Sequence, residues 1–439
     1  MAKERFFLEL TPPSELLRDA PHVVIVGGGF AGLKAAHTLA GKTVRVTLID
    51  RRNFNLFQPL LYQVASGLVS ATDVASPLRV MLGSAPNIQI LMGEVEDIDP
   101  AAQVVALGDQ QLRYDHLIVA AGATSSFFGH DAWQAFATPM KSLGDAMAIR
   151  RQVLSALEEA ERTPDPDQRQ WLQSVVVVGG GPTGCELAAS LNDLLRHTLE
   201  RDFKQLDPHR SRVTLVDPGE RVLRAMDPEL SRAAGEHLRR CGVELLLGGR
   251  VQAIEAGRLV VSTANGPVTL EAGTICWTAG VAASPLGQLL AERSGCSLDR
   301  AGRVVVEPDF SIAGHPEIRV VGDLCSYSHT ADGHPLPGMA GPAVQMGGWV
   351  AEDILARLQH QPHGAFAFAD FGSMAVVGPL FAVANLRGLK LSGPLGWLVW
   401  GLAHLAFMPD TENRISLLTK WLWLIVTRQR SALLIQDSP

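Results

Sequence analysis

Cysteine is scarce in this sequence: five in 439 residues, none in a C-x-x-C or C-x4-C pair. That excludes a redox-active disulfide and any cysteine metal site, and no metal ligands are assigned. Cys185, Cys241, Cys276, Cys296 and Cys325 stand apart from one another, as suits a reducing compartment. No cluster of Lys and Arg interleaved with aromatics occurs, and the formal net charge is -7, so nucleic acid is excluded as a partner. The first twenty residues, MAKERFFLELTPPSELLRDA, lack the apolar core of a signal peptide. They read as a short extension, ended by Pro12-Pro13, on a cytoplasmic protein. Nor is there an uninterrupted run of about 20 apolar residues, the length a spanning helix requires.

Hydrophobic residues make up 47% of the chain and 42 residues are glycine, a composition suited to a glycine-turned α/β protein. The length exceeds one ordinary core, so two or three domains are expected. Residues 22–50 organise the rest. The apolar run Val23-Val24-Ile25-Val26 enters Gly27-Gly28-Gly29-Phe30-Ala31-Gly32, a helix-compatible segment follows, and a β-branched run over 44–49 ends in Asp50. Strand, glycine turn, helix, strand and acid are the order of a dinucleotide-binding βαβ unit. Gly27 permits the tight turn, Gly29 admits a pyrophosphate close to the backbone, and Gly32 lets helix and strand pack closely. The pyrophosphate would rest on the helix N-terminus, and Asp50 would accept from a ribose diol.

The motif occurs twice. Ser174 to Gly184 repeats the strand and turn, with glycines at 179, 180, 181 and 184; Cys185 to Leu195 continues as a helix, and Val213 to Asp217 supplies the second strand and its acid. The charged stretch 196–212 reads as a helix extension and loop inserted in this unit. Two such units shift the question from whether a nucleotide binds to which two bind.

Between and after these units the pattern is less regular. Residues 51–67, RRNFNLFQPLLYQVASG, are apolar yet neither helical nor alternating, and read as a pocket wall or as packing beneath the first domain. Residues 88–121 read as short strands turning at Gly93 and Gly108, and end in a buried strand that runs into Gly122. A helix is expected over 142–163 and another over 228–241, with strands near 243–247 and 250–270. Thr274 to Gly280 and Ile318 to Asp323 are apolar strands closed by a glycine. Asp323 could accept from ribityl hydroxyls, or Gly322-Asp323 could simply be a turn.

The tail carries no charge between Lys390 and Asp410. The segment 393–408 is almost wholly apolar, and 415–427 follows with Arg428 and Arg430 behind it. On a helical wheel Ser416, Lys420, Trp423, Thr427 and Arg430 form one stripe, with Leu417, Leu418, Trp421, Leu422 and Ile425 elsewhere. Trp397, Trp400, Trp421 and Trp423 beside basic residues suit the headgroup boundary of a membrane, so an in-plane anchor is expected. A dimer interface, a helix packed on the core and a single span are the other readings of the same pattern.

The order GGGFAG, LIDRRN, LFQPLLYQVASG, AAGA, GGGPTGCE, VVGD, PAVQMGGWVA and a Trp-rich tail resembles the type II NADH dehydrogenases, the non-proton-pumping NADH:quinone oxidoreductases. The likeness runs from about residue 20 nearly to the end, and LFQPLLYQVASG is its most discriminating piece. It implies an α/β fold of two Rossmann-type domains, for FAD and NADH, with a C-terminal amphipathic helical region on the membrane. The expected division is 20–141 and 305–370 for FAD, 142–304 for NADH and 371–439 for the membrane. The FAD contacts map to Gly27, Gly29, Phe30, Ala31, Gly32, Asp50, Arg51, Gln58, Gly122, Gly322, Asp323 and Val344. The NADH contacts map to Gly179, Gly181, Pro182, Thr183, Gly184, Asp217, Ala279 and Gly280, and the quinone pocket to Leu61, Tyr62, Gln63, Gln345 and Gly378. Two departures from the family's pattern make that pocket more apolar: Gly341 where the first Gln of A-Q-x-A-x-Q is usual, and Pro379-Leu380 where many relatives are basic.

The resemblance implies hydride delivery from NADH to FAD and then two electrons to a membrane quinone, on the cytoplasmic face of the membrane and without proton pumping. Glu186 and Gln345 are the catalytic candidates. Glu186 would place cofactors or relay a proton, or else merely favour the helix dipole; Gln345 would hydrogen-bond a quinone carbonyl. Asp217 favours NADH by repelling a 2′-phosphate, while Arg221 and Arg224 leave NADPH open. A homodimer is compatible with the sequence. A sulfide:quinone oxidoreductase, a soluble ferredoxin- or rubredoxin-type reductase and a flavin-bearing redox sensor without turnover are the competing readings. For the first, Cys185 and Cys325 are single candidates that do not form an evident pair.

Overall fold

The computed structural model describes residues 5–10 and 17–435, so the expected stop at Pro12-Pro13 lies outside the described residues. Contacts divide the chain into two units: 1–56, 75–124 and 281–370 form one, and 57–74, 125–280 and 371–439 the other. These contact units are cut differently from the expected division: residues 125–141 fall in the second and 281–304 in the first. The segment 57–74 leaves the first unit for the second. The C-terminal region is not a separate body but groups with the second unit.

The first unit is built on a six-stranded sheet in the order Ser311–Ile312, His315–Val320, His116–Val119, His22–Val26, Arg45–Asp50, Ile88–Met92. All pairings are parallel except that of Ser311–Ile312 with its neighbour. The strand His22–Val26 is buried on both faces, which explains its unbroken run of apolar residues where an exposed sheet would alternate. The helix Phe30–Leu39 packs on this sheet, and the helix Ala340–Leu358 crosses it at Gly347, where any Cβ would overlap the backbone of Ala31. The N-terminal residues are more than an extension: Phe6–Phe7 pairs with Gln110–Gln111 at the edge of a four-stranded sheet.

The second unit repeats the plan with a five-stranded parallel sheet ordered Thr138–Pro139, Thr274–Trp277, Ser174–Val178, Arg212–Asp217, Val243–Leu247. The helix Leu143–Arg162 starts in a capping box, with Ser142 and Asp145 each accepting from the other's backbone N–H. The inserted stretch after the second helix opens with one π-helical turn, Leu194–Thr198. A three-stranded antiparallel sheet, Ser373–Gly378, Phe381–Leu386 and Leu389–Gly393, leads to the terminal helices Pro394–Phe407 and Thr411–Thr427.

No helix among the described residues is long and apolar enough to cross a membrane. The last helix turns Ser416 and Lys420 of its polar stripe toward the protein: Ser416 donates to Asp73 at 2.7 Å, and Lys420 pairs with the same carboxylate. Trp421 and Leu417 are buried, whereas Ile415, Leu418, Leu422, Trp423 and Val426 are exposed. Lys420 finds its partner in Asp73, a buried acid far away in sequence. Arg430 is no surface residue either: its guanidinium is buried and donates to the carbonyls of Ser66 and Ser190 and to Asp193.

Candidate functional site: two glycine turns and an apolar cavity

In the first unit Gly27 has a φ of +105°, a conformation only glycine adopts readily. The helix following it begins close enough that a Cβ on Gly32 would overlap the Gly27 carbonyl. A Cβ on Gly29 would meet nothing within 4 Å, so this position opens onto space beside the helix start. The helix has neither a side-chain cap nor an acid in its first turn, leaving its N–H groups to an anion. Gly322, at a φ of +73°, approaches the same point, since its Cβ would lie 3.4 Å from that of Ala31 and 3.7 Å from that of Ala343. Gly122, with a φ of +68°, also opens onto space. These positions form a cradle that fits the pyrophosphate of a dinucleotide such as FAD. Asp50 has a role the sequence did not reveal: Oδ2 accepts from Gly28 N at 2.7 Å and Oδ1 from Arg52 N at 2.8 Å, so it braces the turn itself. Arg51 is exposed and lies 3.9 Å from Glu94. Asp323 sits beside Gly338, and Val344 is half-buried on the helix Ala340–Leu358. Gln58, expected among these residues, belongs to the second unit, on the 3-10 turn Gln58–Leu60.

The second turn repeats the first. Gly179 has a φ of +113°, a Cβ on Gly184 would overlap the Gly179 carbonyl, and Gly181 opens onto space. Asp217 Oδ2 accepts from Gly180 N and Oδ1 from Gly219 N, each at 2.7 Å. Pro182 and Thr183 are exposed at the uncapped helix start, and Ala279 closes over Gly179. Gly280 has a φ of +114° with the Phe128 ring against it. The nearby arginines are already engaged: Arg224 Nε is 3.6 Å from Asp217, and Arg221 donates to the carbonyls of Arg224 and Met226. This cradle fits a second dinucleotide equally well.

Within the second unit lies a cavity of about 240 Å³. Tyr62, Gln63 and Gly378 line it, as the sequence suggested; Leu61 is buried and does not. Glu186 lines it too, from the second turn of the helix Pro182–Asp193, beyond the reach of a simple dipole role. Burial pushes its carboxyl up to about 8, while the Val376 N–H, 3.3 Å from Oε1, pulls the other way. Sequence reasoning missed Ser190, Asp193 and His197, which also line the cavity. Their spacing from Glu186 along one helical face was the available signal. It also missed Trp421, Arg428 and Arg430 from the tail, for which there was no local signal. Gln345 belongs to the first unit, and its carboxamide is paired both ways with Ala369: Nε2 donates to O and Oε1 accepts from N, both at 2.9 Å. One of its N–H groups is left for any other partner. Cys185 and Cys325 are buried and their thiols are pushed well up by burial, which suppresses the thiolate that sulfide chemistry would require.

Residues 21–347 match the model of the pyridine nucleotide-disulphide oxidoreductase family. A type II NADH:quinone oxidoreductase of Mycobacterium tuberculosis is 41% identical, over 98% of this chain and 94% of the relative. A second from the same organism is 39% identical, over 91% and 86%. Among solved structures, NDH2 from Plasmodium falciparum in complex with NADH superposes with a TM-score of 0.85 at 20% identity, covering 94% of this chain and 99% of that one. The sulfide:quinone oxidoreductase of Aquifex aeolicus gives 0.71 at 18%, over 93% and 96%. Both structural matches speak to fold alone. The chain belongs to the pyridine nucleotide-disulphide oxidoreductase family and, within it, to the type II NADH:quinone oxidoreductases.

Proposed function

We propose that this protein oxidises NADH and reduces a membrane quinone through FAD, at the cytoplasmic face of the membrane and without pumping protons. The observation that carries the reading is Glu186, a buried carboxyl on the helix of the second glycine turn that faces an apolar cavity shared with Tyr62 and Gln63. A bound flavin supplies hydride acceptance from nicotinamide and the release of two electrons. The cradle at Gly27, Gly29, Gly32, Gly122 and Gly322 would hold FAD, with Asp323 and Val344 as further contacts. That at Gly179, Gly181 and Gly184 would hold NADH, with Asp217 disfavouring a 2′-phosphate.

The chain's own part in quinone reduction is to exclude water and supply a proton. Reduction to the hydroquinone takes two electrons and two protons, and charge develops on the carbonyl oxygens as it proceeds. A carboxyl that stays protonated to about pH 8 can give a proton inside an apolar cavity where a carboxylate could not. The exposed face Ile415, Leu418, Leu422 and Val426, with Leu395, Leu398 and Leu402 on the preceding helix, supports seating on a bilayer surface, where a lipid-soluble quinone resides.

Anaerobic stopped-flow on the purified protein tests the reading. Bleaching near 450 nm, the usual region of flavin absorbance, is expected with NADH, and recovery with a short-chain quinone. Bleaching without recovery would remove the quinone assignment; bleaching with sulfide alone would move the protein to the sulfide-oxidising relatives.

A further inference from the structure

The cavity's hydrogen bonds have a direction, and one residue of the tail sets it. Gln63 is buried, and its side chain is held at both ends: Trp421 Nε1 donates to Oε1 at 2.9 Å, and Nε2 donates to Tyr62 Oη at 3.0 Å. An indole N–H can only donate. The carbonyl end of Gln63 must therefore face Trp421, and the NH2 end must face Tyr62. Tyr62 Oη then accepts from Gln63, so its own proton cannot point there. The phenol has no other hydrogen-bond partner among the described residues, and it lines the cavity. The only direction left for the proton is into the cavity.

From this we infer that Tyr62 is the hydrogen-bond donor to a quinone carbonyl, and that Trp421 and Gln63 are positioning residues that aim its hydroxyl. The inference rests on the quinone reading above and adds to it the donor and the device that orients it. Tyr62 donates a hydrogen bond and keeps its proton. Burial and the neighbouring Glu186 both push its ionisation well up, so it stays a phenol throughout. Of the two protons of the hydroquinone, one arrives with the two electrons as the hydride that NADH delivers, and Glu186 supplies the other. The aimed phenol lowers the barrier because negative charge grows on the carbonyl oxygen as electrons arrive.

Three variants test the direction. Tyr62→Phe removes the donor. Gln63→Glu keeps shape and the bond to Trp421; once ionised, as titration of the variant establishes, its carboxylate cannot donate, so Tyr62 turns its proton onto it and away from the cavity. Trp421→Phe removes the constraint and lets the amide turn over. In wild-type protein reduced by NADH, the rate of reoxidation by a short-chain quinone is the reference. Tyr62→Phe and Gln63→Glu are each expected to slow it about tenfold, and Trp421→Phe about threefold, a net hydrogen bond being worth a factor of this order. Bleaching by NADH is unchanged in all three. The decisive result is the double variant Tyr62→Phe/Gln63→Glu, expected to be no slower than Tyr62→Phe alone. The infrared carbonyl stretch of ¹³C-labelled quinone bound to oxidised protein should move up equally in Tyr62→Phe and Gln63→Glu. If Gln63→Glu fails to fold, Tyr62→Phe/Trp421→Phe serves, again with no loss beyond Tyr62→Phe. Additive losses in the double variants, or a carbonyl stretch indifferent to Tyr62→Phe, overturn the inference. Wild-type protein that quinone does not reoxidise overturns the functional reading instead.

Discussion

The two glycine-turn helices start from the same local structure and end in opposite surroundings. Each begins three residues past a glycine of high positive φ, each is braced by the acid of the next strand, and each has the third glycine of its G-x-G-x-x-G where a Cβ would strike the first glycine's carbonyl. Two positions beyond that third glycine stand Lys34 in one and Glu186 in the other. Lys34 is exposed, whereas Glu186 is 8% exposed. The difference lies in what covers each helix. In the second unit the strand Ser373–Gly378 packs on the helix Pro182–Asp193, and its Val376 N–H meets the Glu186 carboxylate. In the first unit the helix Ala340–Leu358 crosses at Gly347 and leaves the Lys34 ammonium to water. The same glycine-turn motif thus carries a buried acid only where another segment covers its second turn.

This comparison can be broken or sharpened at several points. The largest effect is expected where the two turns are most alike. Gly32→Val and Gly184→Val should each destabilise by about 3 kcal/mol or more, because each side chain meets backbone that has no room to move. Thermal unfolding with flavin content measures it, and tolerance of either substitution would break the equivalence. Next, Glu186→Gln should slow reoxidation by quinone by about 10²-fold, a typical contribution of a general acid, with bleaching by NADH preserved. Lys34→Gln, at the matching step, should change neither half-reaction more than about twofold.

The pH dependence follows in size. Glu186 has its folded pKa raised from 4.5 to about 8. Between those values the folded state holds a proton the unfolded state has lost, so stability is full below about pH 4.5 and falls as pH rises towards 8. The slope should vanish in Glu186→Gln when melting is followed over that range, and the wild-type quinone step should decline above about pH 8. Asp50→Asn and Asp217→Asn should each cost on the order of 1–2 kcal/mol, since an amide can accept from only one of the two N–H groups now bound. The smallest effect is expected at the exposed apolar face of the last helix. Leu422→Ser with Val426→Ser should weaken sedimentation with anionic vesicles several-fold and leave melting within about 0.5 kcal/mol, as suits exposed positions. Lys420→Ala should do the reverse, because its partner is Asp73 inside the protein.

Much of the fold was legible because its determinants are local. Runs such as Val23 to Val26 and Val175 to Val178 can only be buried strands, and Gly27 and Gly179 must take a conformation that other residues avoid. The helices near 142–163 and 228–241 follow from their apolar spacing, and the structure places them at Leu143–Arg162 and Pro228–Cys241. The candidate site was legible only in part. Tyr62, Gln63 and Gly378 could be named from a motif, but Trp421 and Arg430 meet them through contacts more than 200 residues apart in sequence, such as Trp421 with Gln63 and Arg430 with Asp193. The wheel of the last helix named the stripe that holds Ser416 and Lys420, but not Asp73, the partner that both meet.

By itself, the sequence determined two nucleotide-binding units, their glycine turns and acids, and an apolar tail, because backbone conformation and the burial of apolar runs depend on near neighbours. The tertiary structure decided which acid is dry, which lysine is paired and which way a hydroxyl points. Those properties depend on desolvation and on the one partner within hydrogen-bond reach. For Glu186, Lys420 and Tyr62 the deciding partners are Val376, Asp73 and Gln63 with Trp421 behind it, and most of them arrive from distant segments that only folding brings into contact.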